Sequence, residues 1–135
     1  MRKICIAAIC ISIALSCFTV PVFASNDGII PCYNNATKVF SDFKIANDVA
    51  TVDTSYYGIS GITTGAKVTV VLQKRSLLVF WNDVTTWVDN STKMNDSFAH
   101  SYAVSSGTYR VQITYEISGS GGATDVIEET IKASN

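Results

Sequence analysis

Two tryptophans close together in the sequence are the first residues that offer recognition chemistry. Residues 80–88 read FWNDVTTWV and contain Trp81 and Trp87, the only tryptophans of the chain. Because side chains alternate between the two faces of an extended strand, an unbroken strand would place four residues on one face: Trp81, Asp83, Thr85 and Trp87. Indole rings on either side of a carboxylate and a hydroxyl would offer stacking surfaces and hydrogen-bonding groups to a sugar or a peptide.

Packing in the core is the alternative role for these rings. The strand pattern described below predicts a small β-sandwich, and such a fold needs large aromatic side chains to fill its interior. We therefore expect at least one tryptophan to lie in the core or at its rim. Burial of the whole face is not expected, because an unpaired Asp83 in the core would be costly. Asn82 and Asp83 would also separate the two rings if they formed a tight turn, a conformation that both residue types favour.

A run of four apolar residues lies directly before Trp81. It consists of Leu77, Leu78, Val79 and Phe80. Burial is the expected state, because an exposed apolar run of this length promotes aggregation. The alternative is an apolar tip that stays exposed because it contacts a partner.

The chain offers few groups for catalysis or metal binding. His100 is its only histidine, and alternation places it with Phe98 and Tyr102, so we expect a partly buried structural imidazole. No serine lies in a G-x-S-x-G nucleophile elbow. Once the N-terminal signal peptide described below is removed, one Cys and one His remain, too few ligands for a zinc site. The acidic and amide residues nearby lack calcium-loop spacing and are expected in Asx turns: Asp83, Asp89, Asn90, Asn95 and Asp96. We therefore predict no catalytic residue, no metal, no cofactor and no enzymatic activity.

The first 24 residues have the features of a secretory signal peptide. Arg2 and Lys3 precede an apolar run from Ile4 to Leu15, and Val22 and Ala24 supply the small residues of a signal-peptidase site. We predict cleavage after Ala24 and export from the cell. A retained membrane anchor and lipid attachment at the cysteine of residue 17 are the less favoured alternatives.

Cleavage would change both the cysteine content and the charge. Three cysteines leave with the signal peptide, so that Cys32 remains alone. We expect a monomer without an intrachain disulfide, with a Cys32-linked dimer as the alternative. Eight basic residues then stand against eleven acidic ones, a net charge of −3. This balance argues against nucleic acid as a partner. The absence of a cluster of Lys or Arg argues against a generic binder of anionic membranes, and we expect no stable membrane insertion once the signal peptide is removed.

Seven segments with the alternation of β-strands would position these side chains. In the clearest of them, Thr108–Ser118, apolar and polar side chains occupy opposite faces. Asn47-Asp48 and Ser105–Gly107 supply turns, and the last segment, ATDVIEETIKA, is assigned to an edge strand with a helix as the alternative. The pattern predicts an all-β fold: an antiparallel β-sandwich of about seven strands in one domain at residues 37–135, behind a flexible leader at residues 25–36.

Three parts of the chain resemble a group of small secreted proteins of Gram-positive bacteria with immunoglobulin- or fibronectin III-like strand patterns. They are VTVVLQK followed by W-x-x-V-x-x-W, the segment SYAVSSGTYRVQIT, and a signal peptide before one small domain. The resemblance covers about residues 35–132 and implies that Tyr109 braces the corner of a Greek-key sandwich. It implies no catalytic or ligand-binding residue, because the group has no assigned activity. This chain departs from the group at Leu77–Phe80, where the connection is usually polar.

Export, strand alternation and the lack of catalytic groups together predict a secreted, non-enzymatic binding module. Its ligand would be a cell-surface polymer, a host glycan or a protein, a choice for which fold analogy is the weakest support. The alternative is a secreted bacteriocin-like antagonist or toxin that acts on neighbouring cells, with Leu77–Phe80 as an insertion tip.

Overall fold

The structure is a computed structural model that describes residues 32–135. The predicted signal peptide, with its three cysteines, and most of the predicted leader lie outside the described residues. Seven strands make up most of the described chain: β1 (Ala36–Ala46), β2 (Val49–Gly58), β3 (Thr63–Ser76), β4 (Phe80–Ser91), β5 (Asn95–Ala103), β6 (Thr108–Gly119) and β7 (Asp125–Ser134). Between residues 32 and 135 there is no helix with the length and apolar character needed to cross a membrane.

The strands form two antiparallel sheets that pack face to face. One sheet has the order β1-β2-β5 and the other the order β4-β3-β6-β7. This confirms the predicted seven-stranded sandwich of the immunoglobulin/fibronectin III type. The last segment is a strand at the edge of the larger sheet rather than a helix, and β4 continues through Asn82 and Asp83 without a turn.

The core follows the alternation in the sequence. On β6 every second side chain is buried, from Tyr109 to Ile117, whereas the residues between them face outward. The facing strand β2 buries Ala50, Val52 and Tyr56 in the same way. Full burial of a side chain of valine or isoleucine size contributes about 1.5–3 kcal/mol, so the two-residue period selects which face of each strand turns inward.

Buried tyrosines tie the two layers and their corners together. The hydroxyl of Tyr109 donates to the carbonyl oxygen of Ser105 at 2.9 Å, which confirms the corner role that the family resemblance implies. The hydroxyl of Tyr115 donates to the Phe40 carbonyl oxygen at 2.9 Å and lies 2.6 Å from the Ser41 hydroxyl. Burial raises the pKa of Tyr115 to about 12. Ser41 therefore has a partner on the otherwise apolar inner face of β1.

The predicted leader ends earlier than expected. Asn35 is fully buried and Ala36 already belongs to β1, although both were assigned to the flexible leader. The buried carboxylate of Asp125 accepts hydrogen bonds from the backbone N–H groups of Asn34 and Asn35, at 2.8 and 2.7 Å. The Asn35 side chain in turn donates to the carbonyl oxygen of Ala123. Composition alone misses this boundary, because the polar groups that look solvated in the sequence are satisfied by the β6–β7 connection.

Candidate functional site

A β-bulge in β4 separates the two tryptophans. Thr85 lies opposite Leu72 on β3 and Asp83 lies opposite Gln73, so Val84 between them has no partner. One extra residue reverses the alternation on either side of a bulge. Trp87 therefore lies opposite the buried Val70 and faces the sandwich interior, and Trp81 lies opposite Arg75 on the outer face.

The predicted strip of four residues is consequently not formed. Thr85 and Trp87 lie on the inner face of the larger sheet, whereas Trp81 and Asp83 lie on its outer face. The expectation of one shared face is therefore wrong, because the bulge at Val84 interrupts the two-residue period between Asp83 and Thr85. The two tryptophans must therefore be considered as separate sites.

Trp87 joins the open edges of the two sheets. Its ring stacks on His100 of β5, with ring centroids 4.9 Å apart and planes 9° apart, and it meets Tyr102 edge-on at 6.5 Å. Nε2 of His100 lies 2.6 Å from a carboxylate oxygen of Asp89 on β4. This confirms that one tryptophan packs against the core and that the histidine is partly buried.

Trp81 belongs to a network that crosses the outer face of the larger sheet. We call this network the Trp81 cluster; it contains Gln73, Trp81, Asp83, Arg110 and Lys132. The amide of Gln73 donates to Asp83 at 2.6 Å and accepts from Nε of Arg110 at 2.7 Å. The Arg110 guanidinium lies 4.3 Å from the centre of the Trp81 ring, and the Lys132 ammonium lies 5.8 Å from it.

The cluster is positioned by strand register. Asp83, Gln73, Arg110 and Lys132 are directly opposite one another on β4, β3, β6 and β7. Because Gln73 is buried and bonded at both ends of its amide, it holds the guanidinium against the ring. A cation over the ring of a half-buried indole such as Trp81 is stabilised by about 0.5–2 kcal/mol. The result is a rigid aromatic and basic surface beside the β3–β4 hairpin.

The four apolar residues of that hairpin are exposed. We call Leu77, Leu78, Val79 and Phe80 the hairpin tip; their side chains are 83%, 81%, 69% and 61% exposed. The expectation of burial is therefore wrong, and the alternative arrangement, an exposed apolar tip, is present. Ser76 and Phe80 close the hairpin as the last paired residues of β3 and β4. No other described element lies over the loop, so nothing within residues 32–135 covers the tip.

Leu77 and Leu78 also have an unusual backbone conformation. Their φ angles are 47° and 67°, in the left-handed region that costs most residues about 1–2 kcal/mol. The β1–β2 hairpin has similar angles, 52° at Asn47 and 60° at Asp48. Asn and Asp tolerate this conformation and are common in such turns. The same chain thus uses suitable residues in one hairpin and unsuitable leucines in the other.

Basic side chains gather at the same end of the larger sheet. We call Lys74, Arg75, Arg110 and Lys132 the basic patch. Lys74 lies on the inner face of β3, where its Nζ is 5.4 Å from the centre of the Tyr109 ring and donates to the Ser105 hydroxyl at 2.7 Å. Arg75 lies on the outer face, opposite Trp81. Register places Arg110 opposite Lys132. The sequence reasoning missed this patch because its members come from three strands; the adjacent Lys74-Arg75 pair was the only local signal.

The remaining candidate residues do not converge. Asp83 bonds Gln73, Asp89 bonds His100, and Asp96 accepts from the hydroxyl of Ser91 at 2.7 Å. In the part of the chain that the structure describes, no three His, Cys, Asp or Glu side chains are arranged to hold a metal ion. Cys32 is exposed near the start of the described residues.

A shallow polar groove lies at the end of the larger sheet opposite to the hairpin tip. Its volume is about 620 Å³, and its lining includes Lys67, Ser91 and Glu116. Lys67 and Glu116 form an ion pair at 2.8 Å across β3 and β6. Both side chains are substantially exposed, so the pair is weak. The charged groups of the groove are therefore already paired with each other. The hairpin tip at the other end, in contrast, exposes apolar side chains.

No family model and no curated protein matches this chain. Among solved structures it is similar to wild-type OgpA from Akkermansia muciniphila, with a TM-score of 0.45 and 14% identity over 74% of this chain and 29% of that one. It is also similar to a β-glucosidase from Listeria innocua, with a TM-score of 0.43 and 11% identity over 73% of this chain and 16% of that one. This chain thus spans less than a third of either protein, and at these values the likeness does not extend to function.

Proposed function

We propose that this protein is an exported, non-enzymatic binding module that contacts its target through the end of the sandwich carrying the hairpin tip. The target classes are those that export makes accessible: a cell-surface polymer, a host glycan or another protein. The Trp81 cluster and the basic patch would form the surface next to the tip. This proposal replaces the strip of four residues on β4 with a site built from four strands and one turn.

The residue choice in the β3–β4 hairpin is the observation that carries the proposal. Exposed leucines at Leu77 and Leu78 contribute nothing to the core, and they occupy backbone angles that Asn or Gly would adopt at lower cost. Exposed apolar side chains also reduce solubility. A turn that opposes both stability and solubility is best explained by contact with a partner, since strained positions concentrate at binding sites.

The fixed surface beside the tip supports the same proposal. Gln73 immobilises Arg110, and Arg110 lies over Trp81, so these groups lose little conformational entropy when a ligand binds. Tryptophan and arginine are the side chains most often responsible for binding energy in protein contacts. Pairing of β3 with β4 continues without interruption from Gln73–Asp83 to Ser76–Phe80, so the Trp81 cluster lies directly beside the hairpin tip.

The direct test compares binding of two variants with that of the unchanged protein. Leu77→Asn/Leu78→Gly removes the two leucines of the hairpin tip and suits the turn. Val126→Ser removes a side chain at the other end of the sheet, from a residue that is 60% exposed. The probes are purified cell-wall glycans, mucin and intact bacterial cells. We expect the tip variant to lose at least about tenfold in affinity, because burial of one leucine contributes ~1.5–3 kcal/mol. Unchanged binding by the tip variant, or equal losses in both variants, would contradict the proposal.

A secreted antagonist of neighbouring cells is the second candidate, and the exposure of the hairpin tip favours it. A bacteriocin-like protein would use the tip to enter the target envelope. Purified protein spotted on lawns of susceptible strains would then give inhibition zones that Leu78→Asp abolishes. Val126→Ser is again the matched control. If no inhibition zones form at any dose and binding to glycans or cells still depends on the tip, the antagonist function is rejected and the binding-module proposal is retained.

A further inference from the structure

The shape of the hairpin tip restricts the kind of target that it can contact. Three of its side chains belong to the turn between Ser76 and Phe80, the fourth is that of Phe80 at the start of β4, and all four protrude into solvent. None of these side chains lines the polar groove at the other end of the sheet. Small ligands are bound in concave sites that enclose them. A protruding apolar turn instead suits a soft apolar phase that can close around it.

The residue that follows the tip is suited to the boundary of such a phase. Trp81 is half-buried, directly after Phe80, and it carries an apolar ring with a polar N–H group. Tryptophan is enriched at the level of lipid headgroups for this reason. If the tip entered a bilayer, Trp81 would therefore lie at the depth that its chemistry favours.

Charge complementarity selects an anionic surface. The full chain has a net charge of −1, yet the basic patch places four cationic side chains at the end of the larger sheet that carries the tip. Three of them lie on the outer face of the sheet, and Lys74 lies on the other face. Two carboxylates, Asp83 and Asp48, lie at the same end and keep their charge while accepting hydrogen bonds from the neutral amides of Gln73 and Asn135. Four cationic side chains therefore stand against two acidic ones there. The sequence argues against an anionic membrane, because it contains no run of Lys or Arg. In the structure, pairing of β3, β6 and β7 brings separate Lys and Arg residues together into the basic patch.

We propose, building on the proposed function, that the target of this end of the protein is the surface of an anionic phospholipid bilayer. The hairpin tip enters the interface between headgroups and acyl chains, and the basic patch binds the phosphates around it. The association is peripheral and reversible, since one turn rather than a spanning segment enters the lipid. Glycan and protein targets are outcomes of the test below.

The test measures partition of the purified protein, expressed from the full chain, onto vesicles. Phosphatidylcholine vesicles are compared with vesicles containing equal amounts of phosphatidylcholine and phosphatidylglycerol, at low and high salt. We expect binding to the anionic vesicles at least tenfold tighter than to the neutral ones, weakened by salt. Tryptophan emission should shift to shorter wavelength on binding, and Trp81→Phe should abolish the shift.

Variants separate the contributions of the tip and of the patch. Leu77→Asn/Leu78→Gly should reduce partition onto anionic vesicles at least tenfold. Arg75→Gln and Lys132→Gln should each reduce it about fivefold, the change that ~1 kcal/mol per cation near an anionic leaflet represents, and should flatten the salt dependence. Val126→Ser should bind as the unchanged protein does. Circular dichroism of each variant confirms that it is folded.

Each outcome decides between the two proposals. Equal binding to neutral and anionic vesicles, or binding that the tip variant retains, would overturn the lipid inference. A complete lack of vesicle binding together with tip-dependent binding to glycans or to a protein overturns the lipid inference and leaves the proposed function intact. Failure of the tip variant to alter binding to any probe overturns both.

Discussion

Replacing the two leucines of the hairpin tip by Asn-Gly should make the protein more stable. Leu77 and Leu78 adopt left-handed φ angles of 47° and 67°. Asn and Gly are the residues that suit two consecutive positions of this kind. Because both side chains are more than four-fifths exposed, the change removes almost no packing. Relief of backbone strain is then the main effect on the free energy of unfolding.

The size of this gain follows from two opposing contributions. A left-handed conformation costs an ordinary residue about 1–2 kcal/mol, so two leucines together cost roughly 2–4 kcal/mol. Asn relieves part of this cost and Gly most of it, but Gly also loses about 0.5–1 kcal/mol through the greater entropy of the unfolded chain. We expect a net gain of about 1 kcal/mol, which corresponds to a rise in Tm of about 4–8 °C.

The assay is urea and thermal unfolding followed by circular dichroism, with the reciprocal change as the control. Asn47→Leu puts a leucine at a φ angle of 52° in the β1–β2 hairpin. It should lower the free energy of unfolding by about 1 kcal/mol. The two variants therefore exchange suitable and unsuitable residues between two turns that each have two consecutive left-handed φ angles.

The reasoning fails if Leu77→Asn/Leu78→Gly lowers stability or if Asn47→Leu is harmless. Either result would mean that the leucines are supported by contacts or that the turns do not have these angles in solution. A gain in stability combined with unchanged binding would separate the two claims: the strain would be real, and the functional reason for the leucines would be lost.

Three further predictions, which use four substitutions, test the packing of the sandwich and its outer face. Trp87→Ala should lower the free energy of unfolding by about 3 kcal/mol and Trp81→Ala by about 1 kcal/mol, because only the Trp87 ring packs inside the sandwich. Urea titrations measure both losses, and equal losses would refute the bulge in β4. Tyr115→Phe should cost about 1–2 kcal/mol at neutral pH through its lost hydrogen bonds. Because burial raises the pKa of Tyr115 to about 12 from the 10.0 of the free side chain, the unchanged protein should lose stability as the pH rises from 10 to 12; unfolding midpoints over this range should fall less steeply in Tyr115→Phe. Gln73→Leu should cost about 1–2 kcal/mol by leaving Arg110 without its buried acceptor, and unaltered stability and unaltered vesicle partition would show that the amide does not position the guanidinium.

Local pattern was sufficient for most of the fold. On β6 the alternation from Tyr109 to Ile117 identifies the buried face, because burial on a strand repeats every two residues whatever the rest of the chain does. The Asn47-Asp48 turn is equally local, since its residue types favour the backbone angles that a tight hairpin needs. The corner role of Tyr109 came from the family resemblance and agrees with its bond to Ser105.

The candidate site required information that no single segment contains. The bulge at Val84 depends on how β4 pairs with β3, and the same residues in an unbroken pairing would have placed Trp81 beside Trp87. The exposure of Leu77 and Leu78 depends on whether any other element lies over the β3–β4 turn. Neither condition leaves a mark in the local sequence.

What the sequence determined by itself was therefore the set of strands and the face of most of them that turns inward, because the two-residue period and turn preferences act over a few neighbours. Tertiary structure alone decided which side chains meet. Arg110 reaches Trp81 and Lys132 because four strands, β4, β3, β6 and β7, align in register. Attraction between charges depends on their separation in space rather than along the chain.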